Sequence, residues 1–147
     1  MKIGIAADHR GYETKEKLKE YFKNKLEIID YGTNSKERVD YPKYGIMLGE
    51  KVRDKEVDYG IAICGSAIGI SIACNKVKGI RCGKVNNEKE AIHAKTNDFV
   101  NIIAISGEEE LEKNIKIIEA FLNAKENTSD PVYIERINQI KNYENDR

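Results

Sequence analysis

The sequence predicts an α/β fold in three layers, a five-stranded parallel sheet with helices on both faces. Short runs rich in isoleucine, alanine, valine and glycine alternate about five times with longer segments whose apolar residues recur every three to four positions. One of the short runs, YGIAIC, is almost wholly apolar, as a central parallel strand buried on both sides must be. The chain, at 147 residues, is long enough for one domain with a sizeable core.

Each element follows in order. KIGIAAD (2–8) reads as the first strand. Residues 12–26 read as a helix, because Leu18, Tyr21, Phe22 and Leu26 share one face while lysines and glutamates fill the other. EIIDYG (27–32) is the second strand. The polar loop TNSKERVDYP leads to Pro42, suited to a first helical turn, and to a helix ending near residue 54. YGIAIC (59–64) is the third strand, followed by a helix over 68–77, a fourth strand IRCGKV (80–85), a helix over 87–97 and a fifth strand NIIAIS (101–106). SGEEELEKNIKIIEAFLNA places acids where the helix dipole favours them and repeats Leu111, Ile115, Ile118 and Leu122 along one face. These elements make an α/β domain over residues 1–125, and 126–147 form a C-terminal helical tail. In the tail, Tyr133, Ile137 and Ile140 make a narrow apolar stripe on a polar helix, which suits either a cap on its own domain or packing on a second subunit.

Composition narrows the function. Lys+Arg and Asp+Glu are equal at 25 each, so no overall field draws the chain to nucleic acid or an anionic membrane. The opening MKIGIAADH is too short for a signal peptide, and no stretch reaches the roughly 18 apolar residues of a membrane span. A soluble, cytoplasmic protein acting on a small molecule is expected. Three cysteines without an export signal are expected to be reduced thiols, and their spacing, with two isolated histidines, contains no metal-ligand motif.

Ligands of open parallel sheets bind at the carboxyl ends of the strands. Those ends here are ADHRG (7–11), DYGT (30–33), CGSAIG (64–69), KVNNE (84–88) and SGE (106–108), which bring Asp8, His9, Arg10, Cys64 and Ser66 to one edge. Neither GxGxxG nor GxxxxGK[ST] occurs, and CGSAIG lacks the GxSxG spacing of a hydrolase elbow. Cys64 admits two readings. It is either a buried strand cysteine, or a thiol facing the N–H groups of residues 66–70, where Gly65 and Gly69 allow close approach and a helix N-terminus favours a thiolate. In the second case it can remove a proton beside a carbonyl while the amides hold the resulting enediolate. Cys74 and Cys82 read as packing residues. Asp8 is either a cap or a functional carboxylate, His9 a surface or a functional histidine, and His93 and Arg136 read by default as solvated side chains.

Taken together and in this order, ADHRG, DYGTNSKERVDYP and ICGSAIGISIACNKVKGIR resemble the type B ribose-5-phosphate isomerase family, which also contains galactose-6-phosphate and allose-6-phosphate isomerases. The resemblance runs from the first strand to the tail helix. It implies a Rossmann-like domain, no metal or organic cofactor, and a homodimer or dimer of dimers with sites between subunits and the C-terminal helix on the partner. The implied reaction is aldose–ketose isomerisation of a sugar phosphate through a cis-enediol. By position, Cys64 is implied as the base shuttling the proton between C1 and C2, with Ser66 and the turn of Gly65, Ala67, Ile68 and Gly69 as the anion hole. Asp8 and His9 fall at sugar and phosphate contacts, and Tyr41 in the substrate-lining DYP. Ala67 stands where the family usually has glycine, a change expected to be tolerated.

Other positions depart further. The family's ring-opening histidine falls on Asn97, the arginine after strand five on Glu108, and the tail's arginine–histidine pair on Val132 and Tyr133, while Arg136 keeps its place. An amide does not titrate near neutral pH, and a carboxylate repels phosphate. Arg10 is the expected replacement charge, and His93, one turn before Asn97, the replacement acid. The expected substrate pair is ribose 5-phosphate and ribulose 5-phosphate. The alternatives are a hexose 6-phosphate isomerase, a sugar-phosphate-binding protein without turnover, and a subunit that completes a partner's site.

Overall fold

The structure, a computed structural model, describes residues 1–146. Five strands and six helices follow in the order β1 (Lys2–Ala7), α1 (Tyr12–Phe22), β2 (Glu27–Asp30), α2 (Tyr41–Arg53), β3 (Tyr59–Cys64), α3 (Ile68–Asn75), β4 (Cys82–Lys84), α4 (Glu88–Asp98), β5 (Ile102–Ser106), α5 (Leu111–Asn123) and α6 (Pro131–Asn145). All strand pairings are parallel, in the order β2-β1-β3-β5-β4. The three-layer α/β fold expected from the alternation is therefore present.

Strand residues alternate between two cores. Ile3, Ile5, Ile61, Ile63, Ile103 and Ile105 point to α1, α4 and α5, with Leu18, Phe22, Ile118 and Phe121. Ala6, Ala62, Cys64, Ile102 and Ala104 point to α2 and α3, with Leu48, Val52, Ile70 and Cys74. Small strand residues on this second face let the helices lie close, and the helices also approach one another. A Cβ at Gly45 would stand 2.8 Å from that of Ala73, and one at Gly49 would stand 2.8 Å from Val77 Cγ2.

Boundaries differ from expectation where local hydrogen bonds outcompete periodicity. Helix α1 stops at Phe22, whose carbonyl takes the N–H groups of Lys25 and Leu26, although Leu26 still packs on the core. Strand β4 has three residues because the Arg81 N–H goes to Asn101 Oδ1 at 2.8 Å. On its outer side, the Asn75 carboxamide accepts from Cys82 N–H at 2.7 Å and donates to Cys82 C=O at 2.9 Å.

The tail helix α6 is capped by Asp130, whose side chain accepts the Val132 N–H at 3.1 Å. It packs on its own chain through buried Ile137 and through the Glu144 carboxylate, which takes the Gly79 N–H. Ile134, Ile140 and Tyr143 remain exposed. No helix among the described residues is long and apolar enough to cross a membrane.

Candidate active site

The connection from β1 runs to β2 on one side and then returns across β1 to β3, so α1 and α2 lie on opposite faces. Between the carboxyl ends of β1 and β3 the layers part, and such a switch point is where an open α/β sheet holds its ligand. A cleft of about 270 Å³ lies there. Its walls are Asp8, His9 and Arg10 after β1, residues 38–41 before α2, and the turn after β3 with Cys64, Gly65, Ser66 and Gly69.

The turn after β3 is unusually directed. Cys64 is 4% exposed, with its carbonyl accepting the Gly107 N–H at 2.9 Å. The Gly65 carbonyl accepts the Ser106 hydroxyl at 2.6 Å. Among the described residues, the N–H groups of Gly65, Ser66 and Ala67 donate to no protein group. Ser66 Oγ accepts the Ile68 N–H at 3.1 Å, which withdraws that amide from the expected set and leaves the hydroxyl proton to be donated elsewhere. Ala67, at φ 68°, occupies the left-handed region that favours glycine, at a cost of about 1 kcal/mol or more. Its methyl is fully buried against the second core. Gly69 has no room for a side chain, since a Cβ there would lie 2.7 Å from Tyr41 Cζ.

The opposite wall is equally tied. Asp8 is buried, and its Oδ1 accepts the N–H groups of Arg10 at 2.9 Å and Gly11 at 3.1 Å, closing the turn into α1 while Oδ2 stays available. His9 Nδ1 sits 3.0 Å from Val39 O and 3.2 Å from Val39 N. Either tautomer is thus held by the backbone at Nδ1, and Nε2 is the nitrogen left for a ligand. The Arg10 side chain crosses Gly65, where a Cβ would meet Cδ at 3.0 Å and Nη1 at 3.2 Å. Its pairing with Glu108, 3.9 Å apart and with both side chains more than 60% exposed, is weak.

The structure gathers Asp8, His9, Arg10, Tyr41, Cys64, Gly65, Ser66 and Gly69 around one cleft. Ala67 and Ile68 belong to the same turn, Ala67 behind it and Ile68 exposed. Asn97 and Arg136 lie outside this chain's cleft: Asn97 contacts His93 Nδ1 at 3.0 Å on α4, and Arg136 stacks 6.0 Å from the Tyr133 ring on α6. His93 lines a separate hollow between α4 and β4, with Asp98 3.7 Å from its Nε2. Sequence reasoning missed Arg38 and Val39 in the cleft wall, and marked Ser106, which lies beneath it, only as a strand end. Cys74 and Cys82 are free, and the hydrogen bond that the Cys82 thiol makes to Cys74 sulfur, together with burial, raises the Cys82 thiol pKa, away from thiolate chemistry.

Three comparisons bear on this site. The model of the ribose/galactose isomerase family matches residues 3–140. The chain is 36% identical to ribose-5-phosphate isomerase B of Clostridium thermocellum, with a TM-score of 0.95 over 99% of both chains. It is 34% identical to that of Mycoplasma genitalium, solved with bound ribulose 5-phosphate, with a TM-score of 0.92 over 99% of this chain and 97% of the other. A galactose-6-phosphate isomerase subunit LacB of Clostridium acetobutylicum is 41% identical over 129 residues, 85% of this chain and 73% of that one. With an α/β sheet whose switch point carries Asp8, His9, Cys64 and Ser66 on one cleft, the chain belongs to the ribose/galactose isomerase family and is an aldose–ketose isomerase of sugar phosphates.

Proposed function

We propose that the chain interconverts ribose 5-phosphate and ribulose 5-phosphate through a cis-enediol, with Cys64 as the base. The observation that carries this is the placement of the unpaired amides of Gly65 and Ser66 directly after the Cys64 thiol on the wall of one cleft. A thiolate at Cys64 takes the C2 proton of the open-chain aldose and returns it to C1 of the enediolate to give the ketose, while the hydroxyl proton of O2 passes to O1 by way of the Ser66 hydroxyl. Charge developing on the enediolate oxygens meets those amides and the Ser66 hydroxyl, donors already fixed before reaction. Asp8 Oδ2 and His9 Nε2 are the groups left to contact the sugar hydroxyls, and Arg10 and Arg38 are the cations available to the phosphate.

A second copy of the chain completes the site in this proposal. Asn97 and Arg136 lie outside the cleft of their own chain, and His93 beside Asn97 is the acid that a partner brings for ring opening. Ile68 and Ile72 on α3 and Ile46 on α2 are 52%, 52% and 41% exposed on the cleft's side of the sheet, an apolar surface for that partner. We infer a homodimer or dimer of dimers working in the cytoplasm, where three free cysteines stay reduced.

Asn97 at the ring-opening position favours one second reading, a galactose 6-phosphate isomerase. Assay of the wild type and Cys64→Ala on ribose 5-phosphate, galactose 6-phosphate and allose 6-phosphate decides among these. Ribose 5-phosphate is expected to turn over fastest, and Cys64→Ala to lose about a thousandfold or more in kcat while still binding substrate. Near-normal turnover in Cys64→Ala removes Cys64 as the base. Faster turnover of a hexose phosphate moves the substrate, and binding without hydrogen exchange into solvent leaves only a binding protein.

A further inference from the structure

We propose that Ser106, at the end of β5, is a positioning residue that aims the anion hole of the neighbouring strand, an inference resting on the isomerase reading of the Cys64 cleft. A trans peptide unit points its N–H opposite its C=O. The carbonyls of Cys64 and Gly65 both turn toward β5, the first to the Gly107 N–H at 2.9 Å and the second to the Ser106 hydroxyl at 2.6 Å. The N–H groups of Gly65 and Ser66 are thereby turned away from β5, toward β1 and the Asp8–His9–Arg10 wall.

The two carbonyls are held by different means. Cys64 O is bound by the Gly107 backbone N–H, a bond that does not depend on the side chain at 106. Gly65 O depends on one side chain. That hydroxyl has its direction imposed from three sides: Ser106 Oγ accepts the Glu108 N–H at 3.1 Å, Ser106 O accepts Asn114 Nδ2 at 3.0 Å, and the next carbonyl, Gly107 O, accepts the Thr14 hydroxyl at 3.1 Å. Asn114 is 1% exposed, and Gly107 fits only without a side chain, since a Cβ there would lie 2.5 Å from Arg10 O. Helices α1 and α5 therefore clamp the strand end, which in turn sets the angle of the peptide unit carrying the Ser66 N–H. An oxyanion donor is effective only when its direction is fixed beforehand, so the Ser106 hydroxyl acts on catalysis through Gly65 without touching substrate.

The test compares wild type, Ser106→Ala and Ser106→Thr, with folding followed by Tm. Kinetics are measured with ribose 5-phosphate and with galactose 6-phosphate, and binding with two probes. One is a phosphorylated aldonohydroxamate, which presents the adjacent oxygens of the enediolate. The other is ribitol 5-phosphate, which carries the phosphate and hydroxyls but no enediolate charge. Ser106→Ala is expected to lower kcat and weaken the hydroxamate in parallel by about tenfold or more, with KM and ribitol 5-phosphate affinity changed less than threefold. Ser106→Thr, which restores the hydroxyl, is expected to recover most of both losses. Unchanged kcat and hydroxamate affinity in folded Ser106→Ala, or equal weakening of both probes, would overturn the proposal. Wild-type protein that neither turns over a sugar phosphate nor prefers the hydroxamate would overturn the isomerase reading and this inference with it, whatever the variants do.

Discussion

Arg10 and Arg38 both line the cleft, one from the turn after β1 and one from the loop before α2. Neither is committed elsewhere: Arg10 has only its exposed pairing to Glu108, and Arg38 makes no ion pair or hydrogen bond among the described residues. A guanidinium in that state can turn to a phosphate without breaking a strong contact. Arg10→Ala and Arg38→Ala are each expected to raise KM about tenfold, the loss of roughly one charge-assisted hydrogen bond, with kcat within about threefold of wild type. Steady-state kinetics check this, and an unchanged KM would remove that arginine from the phosphate site. Arg10 was legible in the sequence because it directly follows a strand, where ligand groups gather. Arg38 was not, because it lies eight residues beyond the end of β2 and reaches β1 and β3 only through the tie between His9 Nδ1 and the Val39 backbone. Ser106 was visible only as a strand end, since the partner of a hydroxyl is a fact of tertiary geometry.

Helices and strands were legible as elements because core packing selects the same periodicities that reveal them. Their ends were not, since single hydrogen bonds such as those to Phe22 O decide them. The tie between α1 and β2 also escaped pattern reading, because a lysine on an amphipathic helix normally faces water. Lys15 is fully buried, with Nζ 2.5 Å from Asp30 Oδ2, and Lys19 donates to the same oxygen at 2.8 Å. Burial works against the Asp30 carboxylate, but Lys15, Lys19 and the Gly32 N–H together hold its pKa below the ordinary aspartate value. A carboxyl whose folded pKa is depressed contributes stability that is present above its unfolded pKa and lost as pH falls through the folded one. Asp30→Asn is therefore expected to cost about 2–3 kcal/mol near neutral pH, by leaving the Lys15 ammonium without its closest partner. In denaturant titrations the gap from wild type should narrow steadily below about pH 4. A gap independent of pH would mean that the pair does not carry the cost.

At the scale of the molecule, strand order follows from composition more than it first suggested. IIAIS suits a strand buried between neighbours, and CGK, with Lys84, suits an edge, so β5 lies inside β4 despite following it in the chain. Assembly is less legible, because an exposed isoleucine on α3 has the same periodicity as a buried one. The proposed shared site makes a direct prediction. Mixing Cys64→Ala with Arg136→Glu after unfolding and refolding together should recover about a quarter of wild-type turnover, since half the dimers are mixed and each carries one complete site. Recovery would fail if Cys64 and Arg136 serve the same site within one chain. One further feature bears on how copies meet. The carboxamide of Asn75 answers both backbone groups of Cys82 on the outer side of β4, as the main chain of another strand would. A single side chain thus impersonates a sixth strand on the β4 edge and ends the sheet there, barring sheet-to-sheet growth at that edge.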